Sequence, residues 1–424
     1  MKNINKNLTT YEVFNLAIEN HQKNNLSQAQ NLYNEVLKRK PNHTGAYNNL
    51  GMISFNLGDY QKATNYFEKS IKINPNSAHA HNNLGIISIE EGKMQKAKSC
   101  HERAIQLEPN YADAHCNLGL VFKELGDKQK AKNCYEKAIN INPNHLDANG
   151  NLANLLYEIG EPQKAIIYYE KAIKIKPGVS SLSDGLLKSL YKIDNQSLLY
   201  KKLDTIIKEG QMNAVIGSIC SRAEAKYGVK KDNPFCNKPL EYVLKTNLIK
   251  KYDFQNVIIK GVKNILKNNF ISNRTQKLIT NGYQTAGNIF ANKDFDTSEI
   301  QKIIHAEIEN YRYQFKDSKE GFLKNWPSKY NLSGWIVSLK KGGKLSAHMH
   351  ELGWLSGSIY VNVPQKLNTD SGNLVVCIDE NIDKKSIDVI TGSLCLFPSS
   401  LLHYTVPFEA DEDRIVLAFD VEPN

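Results

Sequence analysis

The chain has 424 residues with 41% hydrophobic and 9% aromatic content, ordinary for a globular protein and long enough for two or three domains. No run approaches the roughly 18 apolar residues of a membrane-spanning helix, and MKNINKNLTTYEVF lacks the apolar core and cleavage site of a secretory leader. The net charge of +10 would suit nucleic acid, but the lysines are spread among many Asn and Ile residues. A compositional bias explains them better than a phosphate-binding patch, so neither nucleic acid nor a membrane is an expected partner.

The seven cysteines are scattered and include no C-x-x-C pair. An odd, unpatterned set points to a reducing compartment, with cytoplasm as the expected location.

From the N-terminus, Pro41, Pro75, Pro109, Pro143 and Pro177 recur every 34 residues. Leu16, Leu50, Leu84, Leu118 and Leu152 keep the same period, as do Ala29, Ala63, Ala97, Ala131 and Ala165. A fixed period of this length marks an array of helical hairpins. Small residues let paired helices approach, leucines and aromatics fill the seams, and each proline stops a second helix. A lone hairpin cannot bury its apolar face, so stacking supplies the core and leaves a concave groove. The best unit, Tyr47-x2-Leu50-Gly51, Ala63-x3-Phe67 and Pro75, resembles the tetratricopeptide consensus over five copies, residues 1–177.

Asn15, Asn49, Asn83, Asn117 and Asn151 precede the leucine column in every copy. Drift within a duplicated Asn-rich sequence would leave such a column. The resemblance implies more: in tetratricopeptide families that hold extended peptides, the matching position faces the groove and bonds the guest's backbone. An amide offers both a donor and an acceptor for that task. The expected partner is a peptide or protein.

Residues 178–232 lose the register but keep apolar residues at helical spacing, as in LLKSLYK and LLYKKLDTIIKEG. A helical cap and linker is expected. Residues 233–424 open with a helical stretch, TSEIQKIIHAEIENYRYQF, and then short apolar runs: GWIVSLK, SGSIYVNV, GNLVVCI, SLCLF and RIVLAFDV. Such runs between turn residues predict an all-β sandwich or barrel, of which a jelly roll is one form.

His348 and His350 precede one of these strands, and His403 follows another. On a strand, residues i and i+2 share a face, so the first pair can converge and His403 can complete a metal site. The ordered set HMH, LSGSIYVNVP, SGNLVV, GSLCLFPSSLLHYTVPF and DEDRIVLAF resembles the iron(II)/2-oxoglutarate-dependent oxygenase superfamily. NPFC at 233–236 and NGYQT at 281–285 also fit that resemblance. It implies a double-stranded β-helix (jelly-roll) domain with flanking helices, Fe(II), and 2-oxoglutarate as co-substrate.

Residue by residue, His348 matches the first ligand and His403 the distal one. Arg414 matches the base that pairs with the co-substrate's far carboxylate, a task suited to the planar guanidinium fork; the bland alternative is a surface charge beside Asp411, Glu412 and Asp413. Position 350 departs from the family's H-x-D/E pattern. Either three histidines hold the metal, or Glu351 supplies the carboxylate through a bulge, or metal is bound weakly or not at all; the first is preferred. Trp354, Tyr360 and Tyr404 are candidates for the pocket wall or the core. A hydroxylase with a recruiting arm is the expected function. Its rivals are a non-enzymatic scaffold with a structural or sensory β-domain, and a three-histidine oxygenase that does not use 2-oxoglutarate.

Overall fold

The 34-residue columns become helix contacts in the computed structural model, which describes residues 8–267, 273–274, 277–366 and 369–424. The chain divides into two units, Met1–Ser189 and Leu190–Asn424. In the first, five hairpins follow one another. They pair α1 (Thr10–Gln22) with α2 (Leu26–Arg39), α3 (Thr44–Asn56) with α4 (Tyr60–Ile73), and α5 (Ala78–Glu90) with α6 (Met94–Leu107). Next come α7 (Ala112–Glu124) with α8 (Lys128–Ile141), and α9 (Leu146–Glu158) with α10 (Pro162–Ile175).

Each second helix stops two residues before its proline, as a residue without an N–H and with a fixed φ requires. The alanine column is fully buried. One turn further along the same face of each second helix lies a buried ring column, Tyr33, Phe67, His101, Tyr135 and Tyr169. Gly51, Gly85 and Gly119 make room for these rings: a methyl on each would stand 2.6 Å from Phe67, His101 or Tyr135. This is the helical solenoid expected from the period.

The segment expected as cap and linker forms α11 (Ser180–Lys192), α12 (Gln196–Lys208) and α13 (Ala214–Tyr227). The division between units falls within α11, so α12 and α13 belong with the C-terminal unit. Asn233 of the NPFC motif fastens α13 there. Its buried amide donates to Gly217 O and Ser221 Oγ, while its carbonyl accepts from the backbone of Phe235 and Cys236.

The α-helices and strands that follow are β1 (Leu244–Asn247), α14 (Lys260–Lys267), β2 (Asn273–Arg274), β3 (Ile279–Thr285), α15 (Ser298–Gln314), α16 (Gly321–Lys324) and β4 (Tyr330–Leu345). After them come β5 (Leu355–Asn362), β6 (Leu374–Asp379), β7 (Ile382–Ile387), β8 (Ser393–Pro398), β9 (Leu402–Thr405) and β10 (Arg414–Pro423). Among the described residues they form a seven-stranded antiparallel sheet, ordered β1-β8-β5-β10-β4-β3-β2, and a three-stranded sheet, β7-β6-β9.

Strand β10 shows how the large sheet separates core from pocket. Leu417, Phe419 and Val421 join the apolar cluster built with Ile304 and Ile308 of α15. The alternate residues, Arg414, Val416 and Ala418, line a pocket on the other face, as the two-residue period of a strand dictates. Strand β5 alternates likewise, with Ile359 in the helix-side core and Ser358 and Tyr360 on the pocket side.

Candidate metal centre

The two neighbouring histidines do not lie on a strand, as the i, i+2 argument assumed. Strand β4 ends at Leu345, and His348 then forms an isolated bridge to His403 of β9, N–H to O at 3.1 Å and 2.8 Å. His403 also pairs with Val376 of β6, so its position is set from both sides. His350 swings in two residues later. The ring centroids stand 4.3 Å apart for His348 and His403, 4.7 Å for His350 and His403, and 5.1 Å for His348 and His350. One nitrogen from each imidazole can be chosen so that all three lie within 4.8 Å of one another.

Hydrogen bonds orient two of the rings. His348 Nδ1 lies 2.9 Å from Ser346 O, and His350 Nδ1 lies 2.7 Å from Asp420 Oδ1. With acceptors at both contacts, each Nδ1 carries the proton and donates. The two Nε2 atoms then face each other at 3.3 Å; nitrogens this close share either a proton or a cation. His403 Nδ1 is buried with no hydrogen-bond partner, which is unusual for a buried polar atom. Burial, reinforced by the neighbouring imidazoles, pushes His348 down to about 4 and His403 well below its ordinary value. Both are therefore neutral near pH 7, the form a ligand must have. An orphaned nitrogen, two opposed nitrogens and neutral rings fit a divalent metal of the borderline class that imidazole prefers.

Glu351 lies exposed in the turn after His350 and is not part of the cluster.

One pocket is lined by the three histidines together with Arg414, Tyr360 and Trp335. Arg414 is no surface charge: it is 2% exposed. Its Nε donates to Gly372 O at 3.1 Å, and its guanidinium lies 5.0 Å from the centre of the Tyr360 ring. Asp411 instead pairs with Lys341, and Asp413 accepts from Ser338. Among the described residues no carboxylate lies within 4.0 Å of Arg414. A buried guanidinium without a counter-charge is costly and suits an anionic ligand.

Tyr360 thus belongs to the pocket. Trp354 does not: its indole donates to Phe322 O at 2.6 Å and its ring meets Phe235 edge-on at 5.1 Å, inside the helix-side core. Tyr404 also lies outside the lining, because it follows His403 on a strand and faces the other way.

Reading the sequence missed Trp335, whose ring stands 5.1 Å from His350, and Asp420. A usable signal existed. Residues 414, 416, 418 and 420 share a face of β10, and two of the four are charged within an otherwise apolar run.

The asparagine column sits on the first helices α1, α3, α5, α7 and α9, half-buried throughout. It carries bonds between repeats that its sequence position did not suggest. Asn83 donates to Asn48 Oδ1 and Asn117 to Asn82 Oδ1, both at 3.1 Å, while Asn151 reaches Cys116 Sγ at 3.8 Å.

Residues 333–420 match the family model described as "Putative 2OG-Fe(II) oxygenase", a span holding all three histidines and Arg414. Tetratricopeptide-repeat models match residues 45–77, 66–99, 87–126, 112–145 and 134–167. Among solved structures the chain is similar to MamA, at 29% identity over 38% of this chain and 94% of that one, with a TM-score of 0.33. It is also similar to PilF of Pseudomonas aeruginosa, at 20% identity over 47% and 90%, with a TM-score of 0.44. A third is YrrB, described as a TPR protein with an unusual peptide-binding site, at 22% identity over 41% and 90%, with a TM-score of 0.33. No curated protein matches the chain.

Proposed function

We propose that this chain, tetratricopeptide repeats joined to a 2OG-Fe(II) oxygenase domain, is a hydroxylase that acts on a peptide or protein recruited by the repeats. The observation that carries the reading is one pocket holding both a three-imidazole cluster and a buried arginine that has no acidic partner among the described residues. His348, His350 and His403 would hold Fe(II). Arg414 would take the far carboxylate of 2-oxoglutarate, with Tyr360 keeping the guanidinium in place by stacking beneath it. When bound, the metal and co-substrate supply oxygen activation: 2-oxoglutarate is oxidised to succinate and CO2 with one oxygen atom of O2, and the other enters a substrate C–H bond. Trp335, Val337, Leu374, Val416 and Ala418 wall the pocket with apolar surface, which keeps water from competing there.

Arg414 in the pocket favours this reading over an oxygenase that does without 2-oxoglutarate. The half-buried asparagine column supports a peptide guest, since amides can bond any peptide backbone. Seven unpaired cysteines support a reducing, cytoplasmic setting. Among the described residues no helix is long and apolar enough to cross a membrane.

Purified protein given Fe(II), O2 and 2-oxoglutarate is expected to form succinate. In His403→Ala the rate should fall at least about 100-fold, beyond the loss typical of removing a ligand's outer partner. Undiminished turnover in folded His403→Ala would overturn the site assignment.

A further inference from the structure

A metal held by three neutral imidazoles keeps its full positive charge, and this pocket is largely walled by apolar groups. A negative group is present, one layer behind the rings. Asp420 is 4% exposed and sits in mid-sheet on β10, opposite Ser333 of β4 and Ser356 of β5. Burying a carboxylate is expensive unless donors meet it. Two do, both on Oδ1: His350 Nδ1 at 2.7 Å and Ser356 Oγ at 2.7 Å. Ser356 spends its proton on Asp420 and so accepts from Ser399, 2.8 Å away. The backbone closes tightly over this chain of bonds. A methyl on Gly353 would stand 2.6 Å from Ser399 Oγ and 3.2 Å from Asp420 Cγ. Ser356 Oγ also stands 3.2 Å from His350 Nδ1, but the shorter contact is to the carboxylate at 2.7 Å. The close turn, the relayed hydroxyls and the buried charge all hold that acceptor at the nitrogen of one candidate ligand.

We infer that Asp420 is the positioning residue of the metal centre: it holds His350 with Nδ1 protonated and Nε2 turned to the metal, and it returns the negative charge that the H-x-H sequence removes from the coordinating set. The inference rests on the metal reading of the three histidines. Carboxylate partners of this kind raise the basicity of a ligating imidazole and fix its orientation, and their loss typically weakens metal binding about 10- to 100-fold. Placing the charge behind His350 leaves every ligand on the metal neutral while the site as a whole gains a counter-charge.

The test uses the full chain and Co(II) as probe. In Asp420→Asn, an isosteric change that keeps an acceptor but removes the charge, Co(II) affinity measured by visible absorption should fall about 10- to 100-fold. A second readout needs no metal. Long-range proton–nitrogen NMR of the wild-type protein should show His350 protonated at Nδ1, with a downfield proton because its acceptor is a carboxylate; in Asp420→Asn that proton should move upfield. Ser356→Ala, which removes only the second donor, should leave His350 protonated at Nδ1. An unprotonated His350 Nδ1 in wild-type protein overturns the assignment even if Asp420→Asn fails to fold. So does unchanged Co(II) affinity in a folded Asp420→Asn. Failure of the wild-type protein to bind Co(II) overturns the metal reading itself, while the NMR result still decides whether Asp420 orients His350.

Discussion

The two units of this chain solve opposite problems. In the first, each structural task is performed once per repeat, by five alanines, five rings and five asparagines. In the second, each task is performed once. One bridge joins His348 to His403, one arginine sits in the pocket, and one aspartate stands behind His350. Repetition spreads stability over many similar contacts, so single losses in the arm should be graded. A site built from unique residues should fail sharply when one is removed.

Arg414→Met is where that contrast should be greatest. Losing a paired set of charge-assisted bonds, each worth roughly 1.5–3 kcal/mol, should weaken 2-oxoglutarate binding on the order of 100-fold or more. Co(II) affinity should stay within a few-fold, because the metal and co-substrate tasks fall to different side chains. Titration calorimetry of both ligands checks the split; equal losses in both would mean that the residue only supports the fold.

The ring column of the arm holds one ionisable imidazole, and it should behave unlike its neighbours. His101 replaces the tyrosine or phenylalanine of the ring column, fully buried, with Nδ1 3.0 Å from Asn82 Oδ1. Burial lowers its folded-state value to about 4 from the ordinary 6.5. Above 6.5 the ring is neutral folded or unfolded and has no linked effect. As pH falls from 6.5 to about 4, only the unfolded chain takes the proton, so stability falls by up to about 3 kcal/mol and then levels off. Denaturant melts of the wild-type protein and His101→Tyr across that window should diverge on acidification; parallel curves would contradict the assignment.

Smaller effects should come from the repeated positions. Gly119→Ala would press a methyl against Tyr135 and should cost about 1–3 kcal/mol, as overpacking does, read as a lower melting temperature with Co(II) affinity unchanged. Asn83→Ala removes one bond between adjacent repeats and should cost only about 0.5–1.5 kcal/mol. If the column also holds peptide, Asn83→Ala should raise the KM for a peptide substrate with little change in kcat. A stability loss without any change in KM would make the asparagines purely structural.

The same contrast explains what could be read from the sequence. The arm was legible because a 34-residue period is a local property, visible without knowing which helix touches which. The site was legible only in part. His348, His350 and His403 could be nominated from the H-x-H spacing and a third histidine beside a strand, and Arg414 from its place in the ordered motif set. Their meeting depends on a backbone bridge between residues 55 positions apart, and nothing local encodes that pairing. Trp354 shows the limit: its indole reaches Phe322 and Phe235 in the core, contacts set by elements more than 30 residues away. Asp420 was hidden differently. Its position on the pocket face of β10 follows from the two-residue alternation that starts at Arg414, but its bond to His350 spans the turn between β4 and β5.

The most direct measurement of the central claim is an anaerobic titration of 2-oxoglutarate into the full chain with and without Fe(II), compared with the His403→Ala variant. One pocket that holds both metal and co-substrate predicts saturable binding by the wild-type protein that is strengthened by Fe(II), with the Fe(II)-dependent part lost in His403→Ala. Binding that is indifferent to Fe(II), or no binding at all by the folded wild-type protein, would contradict it.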